Sequence, residues 1–206
     1  MSNTQIIETK SAEDTSGLIL THLTSSSARN AVEAESISRA YDKHIFRARR
    51  KNSASKWLTD NLICKVHADM FADIWNWGGQ FRKIQLLVGA APQDIHDQIS
   101  LLSRDFLSWN HTSTMPVLEL AARLQHRLIY IRPFINGNGR LARLLTDIFF
   151  YSRQHHLPEW PQIQLMTRGN DVRVYYMTAM RQADEGNFTT LMTFIEDCLP
   201  QANQNL

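Results

Sequence analysis

Residues 132–143 read Arg132-Pro133-Phe134-Ile135-Asn136-Gly137-Asn138-Gly139-Arg140-Leu141-Ala142-Arg143, a glycine-rich turn that opens an amphipathic helix. The glycines let the backbone approach a ligand closely, and the free N–H groups of the first helical turn attract anions. Arg140 and Arg143 stand three apart, on one helix face and away from the Leu141, Leu144, Leu145 stripe. Two guanidinium groups beside a helix N-terminus suit a polyphosphate. Either feature alone would also fit ordinary capping glycines and a surface Arg143–Asp147 pair at i, i+4. Their coincidence favours phosphate binding.

Two other phosphate motifs are excluded. No G-x-x-x-x-G-K-[ST] occurs, so this is not a P-loop by that signature. Gly137–Ala142 does fit G-x-G-x-x-[GA], with Leu128–Ile131 as a would-be strand and Glu159 downstream. A dinucleotide fold needs several βαβ units, however, and Pro133 interrupts the required strand–turn junction.

Outward from this segment the chain reads as helical. The apolar spacing of Leu141, Leu144, Leu145, Ile148 and Phe149 continues the helix that begins near Gly139. Further helices are expected at about 29–50, through Ile63, Val66, Met70, Phe71 and Ile74, and at about 93–110, 117–130, 170–184 and 188–199. Residues 81–91, FRKIQLLVGAA, are the best strand candidates and predict one small β-hairpin, with Gly89 as a turn residue and Pro92 as a stop. The expected fold class is mostly α, a helical bundle with one hairpin. An N-terminal arm at 1–27, a single domain at 28–200 and a tail at 201–206 are expected.

Composition bounds the function. The 206 residues are 43% hydrophobic and 20% charged, which excludes a disordered or fibrous chain. The +2 formal charge is too mild to require nucleic acid or an anionic membrane as a partner. The run from Lys43 to Lys51 carries five positive charges and no acid, yet no aromatic pattern accompanies it. It is better read as a solvated helix face than as a nucleic-acid patch. Cys64 and Cys198 match no metal or redox spacing and read as reduced thiols. The polar N-terminus and the lack of a long apolar run predict a cytoplasmic protein without a membrane span.

The segment around 132–143 resembles the signature of Fic-domain proteins, H-x-F-x-[DE]-G-N-[GK]-R-x-x-R, with Phe134, Gly137, Asn138, Gly139, Arg140 and Arg143 in register. Trp75-Asn76-Trp77-Gly78-Gly79-Gln80-Phe81-Arg82 resembles the W-x-W-[AG]-G-x-[FY]-R that precedes the family's flap hairpin. The stretch LELAARLQHRLIYI is similar to its lead-in helix, and residues 175–194 are similar to its closing helices. Residues 17–24, GLILTHLT, resemble more narrowly the subgroup called mobile mystery protein B, typically encoded beside a helix-turn-helix partner.

The resemblance implies a Fic fold and transfer of AMP from ATP, with Mg²⁺, to a hydroxyl of a target protein. It also implies the toxin role of a toxin–antitoxin pair. Phosphate binding then falls to Gly137, Asn138, Gly139, Arg140 and Arg143. The flap that docks the target falls to Lys83, Ile84, Gln85, Leu86, Leu87, Val88 and Gly89, within about 83–95. Phe134 is expected to anchor the loop in the core.

Two positions depart from the motif. Asn136 stands where the family has Asp or Glu, so it offers Mg²⁺ a neutral carbonyl oxygen and holds it more weakly. Arg132 stands at the position of the catalytic His. A guanidinium has donors but no acceptor and cannot serve as general base, so the chain as written is expected to be inactive or impaired. Neither His67 nor His126 lies at the motif position. The alternative is a non-catalytic pseudoenzyme that binds nucleotide or protein. No window matches the inhibitory [ST]-x-x-x-E-[GN]; the nearest, Arg181–Gly186, begins with Arg. Restraint is therefore expected from a separate antitoxin chain.

Overall fold

A computed structural model describes residues 15–48, 58–111 and 115–200. The end of the basic run, the first part of the arm and the C-terminal tail lie outside these residues. The described helices are α1 Ser26–Ala48, α2 Asp60–Phe71, α3 Ile95–His111, α4 Val117–Ile131, α5 Asn138–Ser152, α6 Gln162–Met166, α7 Asp171–Asp184 and α8 Thr189–Asp197. Several start on side-chain caps. Ser25, Thr59 and Asn170 accept from Ala28, Leu62 and Val172 N–H at the heads of α1, α2 and α7. α5 begins with no side-chain cap, on Gly137 in the left-handed region.

α4 and α5 form the central antiparallel pair. α1 packs on α2 and α5, α3 and α8 pack on α4, and α7 packs on α6 and α8. The stripe read along α5 understates its burial, because Ala142, Thr146, Asp147 and Phe150 are buried too. A helix covered all round belongs at the centre of the bundle. The large buried side chains Phe71, Phe134, Phe149 and Phe150 concentrate around it.

The expected β-hairpin at 81–91 is not what forms. The segment is an irregular loop that leads through a 3₁₀ turn, Pro92–Asp94, into α3. Its ends are tied to the 131–133 backbone, by Arg82 N–H to Pro133 C=O at 2.9 Å and Ala90 N–H to Ile131 C=O at 3.1 Å, and by the Arg82 side chain. Arg82, 2% exposed, donates from Nε to Arg132 C=O at 2.7 Å and from Nη1 to Ile84 C=O at 2.9 Å. Its Nη2 donates to Ala90 C=O and, at 3.4 Å, to Ile131 C=O. Two of these acceptors lie at the C-terminal end of α4, where the helix dipole favours a cation.

Elsewhere, contacts absorb features that were ambiguous in the sequence. Leu18 forms an isolated antiparallel bridge with Trp75, and Leu18 and Leu20 pack on the core. Lys43 and His44 both reach Asp69, at 2.7 and 2.8 Å, so the described part of the basic run ties α1 to α2. His126 spans from α4 to Asp184 of α7 at 2.8 Å, which places Asp184 of the 181–186 window in a structural contact. Among the described residues, no helix is long and apolar enough to cross a membrane.

Candidate functional site

Residues 132–143 build one wall of a cavity of about 770 Å³. Gly137 turns the chain at φ 78°, and a Cβ there would fall 2.5 Å from the Phe71 ring and 3.0 Å from His67 Nε2. Both its backbone conformation and its neighbours therefore demand glycine. Asn138 closes the turn. Its Oδ1 accepts from Phe134 N–H at 3.0 Å, and its Nδ2 donates to Phe134 C=O at 2.8 Å. Phe134 is fully buried and stacks on His67, with ring centroids 3.6 Å apart.

His67 is spoken for on both nitrogens. Gly79 N–H donates to Nδ1 at 2.9 Å, which leaves Nε2 as the donor to Asn136 C=O at 3.0 Å. Burial pushes its pKa down to about 3, so the ring stays neutral. It is a spacer between the Gly79 turn and the 132–138 loop, with no lone pair left for chemistry.

Asn136, Gly137 and Asn138 line the cavity together with the start of α5 and its arginines. The N–H groups of Asn138, Gly139 and Arg140 begin α5 without a cap, and a Cβ at Gly139 would meet only Arg143 Nη1 at 3.5 Å. Arg140 lies over the Phe71 ring, 4.6 Å from its centroid, and donates from Nη1 to Glu33 Oε2 at 2.5 Å. Arg143 is buried and points both Nε and Nη2 at Gln162 Oε1, at 3.2 and 2.7 Å. It does not make the surface pair with Asp147 that the i, i+4 spacing allowed. Asp147 is itself buried and accepts from Trp160 Nε1 at 2.7 Å. Burial pushes the Asp147 carboxyl up to about 7, against the pull of Trp160 and Arg143.

Arg132 caps α4 in the left-handed region, at φ 48° and ψ 64°. Its N–H donates to Leu128 C=O and its C=O accepts from Arg82, while its side chain lines the cavity. Gly89 of the loop packs against it, since a Cβ there would lie 2.9 Å from Arg132 Cβ. Of the expected flap residues, Leu86 is buried as an anchor, whereas Leu87 and Val88 are exposed at 63% and 53%.

Several lining residues lie outside the 132–143 segment. Glu33 of α1 bridges Arg140 and Trp75, accepting from Trp75 Nε1 at 2.6 Å. Arg168 and Arg173 come from the α6–α7 segment, and Trp77, Tyr176 and Met177 supply apolar wall. A second cavity of about 430 Å³ adjoins the first through Glu33 and Arg140 and is lined by Tyr41, Asp147 and Trp160.

The protein offers Mg²⁺ a single neutral oxygen, Asn136 Oδ1, which keeps one free lone pair. Asn136 Oδ1 accepts from Gly137 N–H at 2.7 Å, and the lining carboxylate, Glu33, is already paired. Among the described residues no group of His, Cys, Asp and Glu converges as a metal cluster. The phosphate charge of a ligand would be met by arginines and helix N–H groups.

A helical scaffold thus aims an uncapped helix start and the motif arginines into one cavity. Residues 57–150 match the model of the Fic/DOC family. It is 32% identical over 124 residues to the protein adenylyltransferase Fic of Drosophila yakuba, covering 59% of this chain and 23% of that one. The chain thus spans about a quarter of the length of the curated relatives it matches. The fold is that of a Fic domain-containing signaling protein from Bacteroides thetaiotaomicron, with TM-score 0.64, 17% identity and coverage of 81% of this chain and 69% of that one. It is also that of the BepC protein of Bartonella tribocorum with bound AMPPNP, with TM-score 0.59, 16% identity and coverage of 89% and 92%.

Proposed function

We propose that the chain is a Fic-type nucleotide-binding protein whose scaffold serves transfer of AMP from ATP to a Ser, Thr or Tyr hydroxyl of a target protein, and that Arg132 leaves it inactive or impaired as written. The observation that carries this reading is the convergence of Gly139, Arg140, Arg143 and Arg132 on one cavity at the uncapped start of α5. The adenylyltransferase relatives and the AMPPNP-bound neighbour support ATP as the nucleotide.

In the transfer, the target oxygen attacks the α-phosphorus, the bond to pyrophosphate breaks, and the hydroxyl proton needs an acceptor. Arg140, Arg143 and the α5 N–H groups can hold phosphate oxygens. Arg132 can accept no proton, and both His67 nitrogens are engaged elsewhere. His126 is tied to Asp184. A missing general base lowers the rate by about 10²- to 10⁴-fold.

The residues at 17–24 support the mobile mystery protein B type. With it come a cytoplasmic toxin, a helix-turn-helix antitoxin as partner and a target docked along the 83–89 loop. The opposing reading is a pseudoenzyme that only binds nucleotide, and the closed hydrogen-bonding of His67 favours it for the chain as written.

The deciding experiment incubates cell lysate with labelled ATP and either the native chain or Arg132→His. The expected result is labelling of a protein band with Arg132→His, and at least a hundredfold less with the native chain. An Arg132→His chain that folds, binds ATP and labels nothing would overturn the transferase reading and leave the pseudoenzyme.

A further inference from the structure

The cavity carries more positive charge than the motif accounts for. Arg132, Arg143, Arg168 and Arg173 all line it, and among the described residues none of them forms an ion pair. Arg140 has Glu33 as its counter-charge. Arg143 is occupied by the neutral Gln162, and Arg173 donates to Leu165 C=O. No hydrogen bond satisfies the guanidinium groups of Arg132 and Arg168 among the described residues.

Burial holds the Arg132 pKa below the usual guanidinium range, and the charge of Arg173 adds to the effect. The like charges of Arg132 and Arg173 repel each other across the partly buried Arg132 guanidinium, and a bound anion removes that repulsion. The planar forks of arginine match phosphate oxygens in particular. Arg132 arrives from the end of α4, whereas Arg168 and Arg173 arrive from the loop before α7 and its first turn. Arg132 and Arg173 are close enough to repel, Arg168 lines the same cavity, and Arg168 and Arg173 lie outside the 57–150 family match.

We propose that Arg132, Arg168 and Arg173 form a second anion subsite, so that the cavity grips a polyphosphate ligand at two places: here and at Arg140, Arg143 and the start of α5. The inference rests on the nucleotide reading for the ligand's identity, but the subsite's chemistry is that of phosphate alone. A ligand with three linked phosphates has an anionic group for each place, and a nucleoside monophosphate has one phosphate to share between them. In this arrangement Arg132 turns a position of proton transfer into one of anion retention.

Calorimetric titration of the full chain with ATP, AMP and inorganic tripolyphosphate tests it, with Arg168→Gln/Arg173→Gln as the variant. Arg104→Gln/Arg181→Gln removes the same charge from exposed positions outside the cavity lining and serves as control. The subsite requires the cavity variant to weaken ATP and tripolyphosphate by at least tenfold and AMP by less than threefold, with the control within twofold of native. Because Arg173 also supports Leu165, Arg168→Gln alone is included; its exposed side chain supports nothing, and at least a threefold loss is expected. Equal losses in cavity variant and control, a cavity variant within twofold of native, or a native chain that binds neither polyphosphate would each overturn the subsite. ATP binding no tighter than tripolyphosphate would instead sink the nucleotide reading and leave the subsite standing.

Discussion

Glu33 sets the resting charge of the site, and Glu33→Gln should make the protein bind polyphosphate better while making it less stable. Its carboxylate receives Arg140 Nη1 at 2.5 Å and Trp75 Nε1 at 2.6 Å, and the Arg140 and Glu33 side chains are only 13% and 10% exposed. A phosphate that takes the Arg140 fork comes within about 4 Å of this carboxylate, where two like charges repel by about 4 kcal/mol at an effective dielectric of about 20. Movement of the side chain relieves part of this, leaving a penalty of about 2–4 kcal/mol, or roughly 30- to 1,000-fold in affinity. Glutamine keeps an acceptor for Trp75 and removes the repulsion. The same change strips Arg140 of its charge-assisted bond in the ligand-free state, at a cost of about 1–3 kcal/mol. Titration with ATP gives the first quantity and urea unfolding gives the second. Opposite signs are the signature. An affinity that is unchanged or weaker in Glu33→Gln would refute the reasoning, because Glu33 would then not compete with the ligand for Arg140.

Two further outcomes test the walls of the site. His67→Phe keeps a flat ring on Phe134 but strands Gly79 N–H and Asn136 C=O, both bonded to the imidazole. The expected loss is about 2–5 kcal/mol in urea unfolding, and a loss below about 1 kcal/mol would remove His67 from its spacer role. Asp147, with its folded pKa pushed up from 3.8 to about 7, gives a pH signature. A raised carboxyl pKa means the folded state holds the proton more tightly. Its stabilising effect is complete below the unfolded value of about 4, declines as pH rises through about 7, and is then lost. Asp147→Asn should therefore match the native chain near pH 4 and exceed its stability by a few kcal/mol at pH 8; a constant difference across that range would show that Asp147 does not titrate there.

The parts of this fold that were legible in the sequence are those governed by local rules. Helical spacing marks α4, α7 and α8 to within about a residue or two, and the start expected near Gly139 falls one residue from the observed start of α5 at Asn138. The core role of Phe134 followed from the motif and is met by its stack on His67. The hairpin was misread for a physical reason. FRKIQLLV has strand-like composition, but Arg82 and Ala90 at its ends bond the 131–133 backbone, and the Arg82 guanidinium takes backbone acceptors at both ends. The Glu33–Arg140 pair was illegible because it joins residues 107 apart, in a helix that reads simply as Ala-, Glu- and Arg-rich. Arg168 and Arg173 were equally silent. Their meaning comes from the cavity they share with Arg132, and only the folded chain brings them there.

The motif therefore divides into residues that build the turn and residues that present chemistry. Phe134, Asn136, Gly137 and Asn138 spend their side chains, or the lack of one, on the turn, through His67, Phe71 and the backbone. Asn136, Gly137 and Asn138 line the cavity as well, but Gly139, Arg140 and Arg143 line it without a role in closing the turn. Arg132 belongs to both groups in a specific way. Its structural duties fall on its backbone, since its N–H bonds Leu128, its C=O receives Arg82, and its left-handed φ carries about the same strain of 1–2 kcal/mol for any non-glycine L-residue of its kind. Its side chain supports no other part of the turn. A change of side chain at 132 can thus alter what the site does while leaving its scaffold intact. For the same reason the Arg132→His comparison reads out chemistry, with folding held nearly constant.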